Sequence, residues 1–415
     1  MAQVNEIDLR IEAIAAGGEG FGRLNGKSIF VGATAPDEKV RCRITEEHKN
    51  WARAELLEVV EASANRVEPA CSLYGICGGC DLQHISYEAQ LDVKAAILRE
   101  TFHRIGGLNP PSPEIVPSQP WEYRNRMQLH FTEQLHHLPQ SRFTGKEGTP
   151  EQKCSFGLKA KKSGSIIPVS DCPVADPGIR VFLQNQEKNP LFPAPESVSR
   201  TTMRVSPPKK ERFTVFSHNG LFLCEGRLQR GNTTILNKEI NLDASVFFQS
   251  NVTLLESLIT KLTEIAASAD HSLAMADLYC GVGTFACFLG ELFPAIDLLE
   301  ENKSALALAK ENFTSCCKET PAEFFALRDT DWPQLSRRGH GFIVVDPPRT
   351  GLASALASWL AKEGPPILAY VSCSAASLAR DSKILRKGSY ELTELYLYDF
   401  YPQTAHIESL AVFRR

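Results

Sequence analysis

Residues 273–285 read Leu273-Ala-Met-Ala-Asp-Leu-Tyr-Cys-Gly-Val-Gly-Thr-Phe285. A short apolar run ends at Tyr279, Gly281 and Gly283 follow with one residue between them, and a helix-forming stretch begins. Glycine permits a sharp turn and lets a ligand approach the backbone closely. Strand, glycine loop and helix in this order open a nucleotide-binding α/β unit. The third glycine of a dinucleotide fingerprint is missing, because Ala286 stands where it would fall. A pyrophosphate cradle is therefore disfavoured.

Working outward, the pattern from about residue 242 to the end alternates strand and helix. Strands are expected at 273–279, 295–299, 324–327, 341–346, 367–372, 392–400 and 409–413, with helices at 252–267, 302–312, 352–361 and 375–385. This alternation predicts a mainly parallel, doubly wound α/β sheet that binds its ligands at the carboxyl ends of its strands. Several such ends carry chemistry. Glu300 ends the second strand, where an acidic side chain accepts hydrogen bonds from ribose hydroxyls, and Asp329 is expected to end the third and meet an adenine amino group. An acidic lining suits a neutral or cationic nucleoside such as S-adenosylmethionine better than a dinucleotide.

Asp346-Pro-Pro-Arg349 puts a carboxylate on a further strand tip, and the prolines stop the ladder there. Tyr370-Val-Ser-Cys-Ser374 puts Cys373 on the next tip, just before a helix. A helix N-terminus is expected to lower the thiol pKa and favour the thiolate. A thiolate can add to carbon 6 of a pyrimidine, which makes carbon 5 nucleophilic. The carbon-5 proton must then leave to a base. Glu408, in Ala405-His-Ile-Glu-Ser409, is the acidic candidate. An amino-group methyltransferase built on Asp346-Pro-Pro is the competing reading, and it would not need Cys373.

The chain has 415 residues, and two to three domains are expected. It lacks an apolar run long enough to span a membrane and a signal-peptide core, so a cytoplasmic protein with no membrane partner is expected. Its 12 cysteines should then be reduced, and metal binding or catalysis outranks disulfides. Cys224, Cys280, Cys287 and the Cys316-Cys317 pair lie in apolar contexts and read as core. Cys71-x5-Cys77-x2-Cys80 supplies three thiolates around a Gly78-Gly79 turn. A fourth ligand is needed, and zinc and a [4Fe–4S] cluster both suit four thiolates. The net charge is −4, yet residues 121–240 carry 18 Lys or Arg against 11 Asp or Glu, a local patch for a polyanion. Residues 7–61 alternate as short strands, which suggests a small OB-like barrel.

Taken together, these motifs resemble the RNA uracil-C5 methyltransferases that carry an iron–sulfur cluster and an N-terminal TRAM domain. The resemblance covers nearly the whole chain. It rests on Gly17-Gly-Glu-Gly20, Arg53-Ala-Glu-Leu56, Phe247-Phe-Gln-Ser-Asn251, residues 277–285, 346–349 and 371–381, and His406-Ile-Glu408. It implies a TRAM domain at 1–62, a central α+β domain at 63–240 with the cluster and a basic RNA-binding surface, and an S-adenosylmethionine-dependent methyltransferase domain at 241–415. The helix near 86–105 would pack on the last of these. Cys373 would be the nucleophile and Glu408 the base. Gln249, Tyr279, Gly281, Gly283, Glu300, Asp329 and Asp346 would hold the cofactor, and Phe247, Arg124 and Arg126 the RNA. Cys172 would join Cys71, Cys77 and Cys80 on a [4Fe–4S] cluster, with Cys154 its nearest competitor. The expected substrate is one uridine of 23S ribosomal RNA, with the transfer-RNA T-loop uridine as alternative, and a monomer without obligate protein partner is the default. A non-catalytic RNA-binding factor is the remaining alternative, against which Cys373 and Glu408 speak. Three positions depart from the family pattern: Ser374-Ala375 for the usual Asn-Pro, Thr284 for Asn, and Leu298 for Gly.

Overall fold

A computed structural model describes residues 6–131, 156–161, 163–185, 212–335 and 338–415. Much of the basic middle, including residues 142–152 and Cys154, lies outside the described residues.

The main sheet has eight strands: β1 (Glu114–Val116), β2 (Ala274–Leu278), β3 (Ile296–Leu299), β4 (Ala322–Phe325), β5 (His340–Val345), β6 (Ile367–Ser372), β7 (Glu391–Tyr398) and β8 (Glu408–Arg414), in the order β4-β3-β2-β5-β6-β8-β7-β1. Strands β4, β3, β2, β5 and β6 are parallel. Helices cover both faces, so β2, β5 and β6 are buried throughout and read as mainly apolar runs, broken in β2 by the buried Asp277. Ile343, Val345, Leu368 and Val371 are each fully buried, worth roughly 1.5–3 kcal/mol apiece.

Two features differ from expectation. The third strand ends at Phe325, so Asp329 sits in a following 3₁₀ turn (Asp329–Asp331) and not on a strand tip. Strand β1, framed by Pro113 and Pro117, joins the sheet beside β7 from far upstream. Proline is tolerated at an edge, which is why this stretch reads as a mere break in sequence.

The last pairing positions chemistry. Strand β8 runs antiparallel to both β6 and β7. Its first residues therefore lie beside the carboxyl end of β6, with Ser409 opposite Ser372.

Residues 6–61 form a separate six-stranded sheet around Leu9, Ile11, Ile29, Val31, Val40 and Cys42. A five-stranded antiparallel sheet with the helix Pro177–Gln184 forms the middle. The helix Tyr87–Thr101, continued by a π turn to Gly106, packs its Ala95, Leu98 and Phe102 into the core that holds Ile343, Leu368 and Tyr370. There Lys94 Nζ donates to Asp399 Oδ1 at 2.6 Å with both side chains fully buried. Among the described residues, no helix is long and apolar enough to cross a membrane.

Candidate active site

The glycine loop is wound through left-handed backbone at Tyr279 (φ 65°), Gly281 (φ 54°) and Gly283 (φ 79°). A Cβ on Gly283 would sit 3.0 Å from the Ala309 backbone, so only glycine fits. Gly281 faces open space, and its N–H donates to Glu300 Oε2 at 3.1 Å. Glu300 Oε1 accepts from the Asn302 N–H at 2.8 Å. Tyr279 donates its hydroxyl to Asp329 Oδ2 at 2.5 Å, and that same oxygen accepts the Ala353 N–H at 3.0 Å. Beneath the loop Asp277 is fully buried, and its Oδ2 accepts the Ala286 N–H at 3.1 Å.

A cavity of about 880 Å³ opens at the carboxyl edge of the sheet. Gln249, Tyr279, Gly281, Glu300, Asp329 and Asp346 line it, and so do Cys373, Glu408, Phe247, Arg124 and Arg126. Of the residues singled out in the sequence for cofactor, base and RNA, only Gly283 does not face it; Gly283 packs behind, against Ala309.

The lining carries both signs of charge: Glu300, Glu301, Asp329 and Asp346 on the one hand, and Arg124, Arg126 and Arg349 on the other. Phe247 is 58% exposed into the opening, with the Arg126 guanidinium 5.4 Å from its ring centroid. Among the described residues that line the cavity, three polar atoms are buried without a partner: Gln249 Oε1, Arg126 Nε and Glu408 Oε1.

Cys373 lies one residue outside the N-cap of the helix Ala375–Lys387. Ser374 caps that helix, its Oγ accepting the Ser377 N–H at 3.3 Å. The departure from Asn at this position therefore keeps a capping side chain. The expected low thiol pKa is not found. Burial, then the charges of Glu408 and Asp346, push Cys373 up to about 11, against the opposing pull of Arg349. Burial is the largest of these effects, and the neighbouring carboxyls add to it. They are perturbed in turn: burial raises Asp346 to about 7, and burial and then Asp346 raise Glu408 well above the usual carboxylate range.

Arg349, Tyr401 and His406 also line the cavity, and the sequence reading assigned none of them a role. Arg349 Nη2 donates to His406 Nδ1 at 3.2 Å, and the Arg124 guanidinium lies 6.0 Å from the Tyr401 ring centroid. Arg349 and His406 fall inside motifs already quoted, which was the available signal; Tyr401 has none.

Cys71, Cys77, Cys80 and Cys172 are free and partly buried. Burial, and after it mainly the charge of Cys80, pushes Cys172 up to about 12; burial pushes Cys80 up to about 11. Among the described residues, however, no group of three or more His, Cys, Asp or Glu side chains is arranged to hold a metal ion.

Comparison with known proteins agrees with this geometry. A family model described as tRNA (Uracil-5-)-methyltransferase matches residues 301–415, and a TRAM domain model matches residues 3–57. An uncharacterized RNA methyltransferase of Aquifex aeolicus is 32% identical over 98% of this chain and 98% of its own. The chain belongs to the RNA uracil-5-methyltransferase family. The family transfers a methyl group from S-adenosylmethionine. A 23S rRNA (uracil(1939)-C(5))-methyltransferase RlmD of Shewanella sediminis is 28% identical over 98% of this chain and 96% of its own. The solved tRNA (uracil-54, C5)-methyltransferase of Pyrococcus abyssi, in complex with S-adenosyl-L-homocysteine, shares the fold: TM-score 0.72, 23% identity, 98% of this chain and 100% of the other.

Proposed function

We propose that this protein methylates carbon 5 of one uridine in 23S ribosomal RNA through a covalent Cys373 adduct, acting as a cytoplasmic monomer. The observation that carries the mechanism is the convergence of Cys373 and an unpartnered Glu408 oxygen on the cavity that the glycine loop opens into. Full-length relatives named RlmD support ribosomal RNA. The Pyrococcus likeness carries the fold alone and leaves transfer RNA as the second reading.

Bound S-adenosylmethionine supplies an electrophilic methyl group. Cys373 Sγ, deprotonated on assembly of the complex, adds to carbon 6 of the uracil, and carbon 5 of the resulting enolate takes the methyl group. Glu408 removes the carbon-5 proton, the carbon 5–carbon 6 double bond reforms, and Sγ leaves as thiolate. Arg349 is the cation that opposes the carboxyls around the thiol. Phe247 stacks on the exposed base, and Arg124 and Arg126 hold its phosphates. The target must be splayed from its helix, because a stacked base cannot receive a thiol on one edge.

Replacing Glu408 with Gln should slow elimination and leave an RNA adduct that survives denaturation. Replacing Cys373 with Ala should abolish both adduct and methylation. Methylation that persists without Cys373 would sink the covalent reading. Mapping 5-methyluridine in RNA from a deletion strain decides between the two RNAs.

We further propose a structural [4Fe–4S] cluster on Cys71, Cys77, Cys80 and Cys172. The donor types suit such a cluster, although among the described residues they are not gathered into a metal-holding group: the four thiols are free, the charges of Cys71 and Cys80 reach Cys172, and a Cβ on Gly79 would sit 3.5 Å from Cys77 Sγ. The cluster would tie residues 71–80 to the segment at Cys172. Iron and acid-labile sulfide in anaerobically prepared protein test this; a colourless, zinc-loaded protein would overturn it.

A further inference from the structure

The segment between β7 and β8, residues 399–407, belongs to no strand, yet it shapes the cavity. Tyr401, His406 and Ile407 line the opening, and Glu408 follows as the first residue of β8. Groups remote in the chain hold its carbonyls. Asn251 Nδ2 donates to the Phe400 carbonyl at 3.3 Å, Lys94 Nζ to that of Tyr401 at 2.9 Å, and the Tyr123 hydroxyl to that of Pro402 at 2.9 Å. The N–H groups of Asp81 and Leu82, just past Cys80, both donate to the Gln403 carbonyl at 2.9 Å.

Gln90, on the helix Tyr87–Thr101, completes this set. Its Oε1 accepts the Gln403 N–H at 2.9 Å, and its Nε2 donates to Gln403 Oε1 at 3.0 Å. The same Nε2 meets the Leu82 carbonyl at 3.1 Å and the Ile85 carbonyl at 2.8 Å. An N–H only donates and a carbonyl only accepts, so the orientation of the Gln90 amide is fixed. Both glutamines are buried, and Gln403 sits in left-handed backbone (φ 67°), which a residue with a Cβ seldom adopts unless its surroundings impose it. The helix already packs through Ala95, Leu98 and Phe102, and an apolar side chain at 90 would extend that packing. A satisfied buried polar link adds little net stability; what it adds is a unique geometry.

We infer that Gln90 is a positioning residue: through Gln403 it holds the segment that sets Tyr401, His406 and Glu408 into the cavity beside Cys373. The catalytic consequence rests on the covalent reading above; the anchoring does not.

Two measurements on the full-length protein separate these. In Gln90→Met, amide hydrogen exchange of peptides covering 401–408 should quicken about ten-fold or more, while peptides of β2, β5 and β6 stay as in the wild type. Tyr123→Phe, which loses a single hydroxyl, should loosen the same peptides by a smaller factor. Unchanged exchange at 401–408, or an equal rise throughout the sheet, overturns the anchor. The second measurement is the lifetime of the denaturation-resistant adduct in single turnover, on a transcript of 23S ribosomal RNA or of transfer RNA, whichever the wild type methylates. Gln90→Met should lengthen it about ten-fold or more, because a base displaced by about 1 Å works on the order of 100-fold more slowly. S-adenosylhomocysteine affinity should stay within about two-fold, since the glycine loop and Glu300 lie apart from the change. Gln90→Glu, while protonated, keeps an acceptor for the Gln403 N–H and one donor. Burial raises a carboxyl pKa, so this variant should match the wild type near pH 6 and approach Gln90→Met near pH 8. A wild-type adduct lifetime in Gln90→Met, or equal lifetimes of the two variants at both pH values, overturns the positioning role. Absence of any adduct in Glu408→Gln refutes the covalent reading instead, and hydrogen exchange still decides the anchor.

Discussion

Asp277 offers a test of the buried electrostatics that is independent of turnover. It is fully buried beneath the glycine loop, with one oxygen on the Ala286 N–H and the other without a partner. Burial, together with the charges of Asp346 and Glu300, raises its pKa from 3.8 to about 7. A raised carboxyl pKa stabilises nothing at neutral pH. Below the unfolded value both states hold the proton and nothing is lost. As pH climbs, the unfolded chain releases its proton while the folded one keeps it, and stability drains away until the folded value is reached. Each unit is worth 1.36 kcal/mol, so the full loss is about 4 kcal/mol above pH 7. Replacing Asp277 with Asn removes the titration and keeps an oxygen for the Ala286 N–H. From about pH 5.5 to about pH 7 the variant should therefore gain about 2 kcal/mol on the wild type. For a unit of this size that is about 4–8 °C in Tm. Thermal melts of both proteins at the two pH values, at one ionic strength, read the difference directly. Parallel melts, with the gap constant to about 1 °C, would show that the carboxyl titrates normally and refute the reasoning.

Other substitutions probe other links. Lys94→Met leaves Asp399 charged and unpaired in the core and should cost about 3–5 kcal/mol by denaturant unfolding, most of it recovered by adding Asp399→Leu. Gly283→Ala forces a side chain into left-handed backbone and against Ala309, so it should cost about 1–3 kcal/mol and weaken S-adenosylhomocysteine binding in calorimetry. Phe247→Ala should leave stability within about 0.5 kcal/mol, because the ring is exposed, while adduct formation falls at least ten-fold; an unchanged adduct rate would remove Phe247 from the base site.

Most of the catalytic sheet was legible because buried parallel strands must be apolar runs and their tips must carry the polar residues. Residues 346 and 373 each follow such a run, whereas Asp277 is next to last inside β2. What could not be read is set by long-range pairing. The expected tip at 327 moved to Phe325 because β4 pairs only from Ala322 to Phe325 with β3. That two-residue shift took Asp329 off the strand, where the Tyr279 hydroxyl and Ala353 N–H now occupy one of its oxygens. Glu408 could be named from its motif, but only the reversal of β8 explains why a residue so near the chain end reaches Cys373. The thiol failed for a related reason. Its own helix is local and visible in sequence; the burial that raises the thiol, and after it the carboxyls of Glu408 on β8 and Asp346 at the end of β5, are set by long-range packing.

Those carboxyls prescribe a response to the cofactor's charge. Asp346 is half neutral near pH 7 in the free protein, so a cation placed against it must draw the proton off. On the reading above, the cation is the sulfonium of S-adenosylmethionine, which the product S-adenosylhomocysteine lacks. The preference for the sulfonium form should therefore grow from about pH 6 to about pH 8, as Asp346 ionises, by up to about ten-fold per unit of further pKa shift. Affinities for both forms, measured by calorimetry at the two pH values, give the ratio. Asp346→Asn should flatten it without touching Glu300, which holds the glycine loop and the far end of the site. A ratio that does not move with pH in the wild type would place the sulfonium away from Asp346. It would also remove this reason for Asp346 to sit poorly solvated beside Glu408: the methyl transfer discharges the cation that Asp346 meets, and the product leaves a site that no longer attracts it.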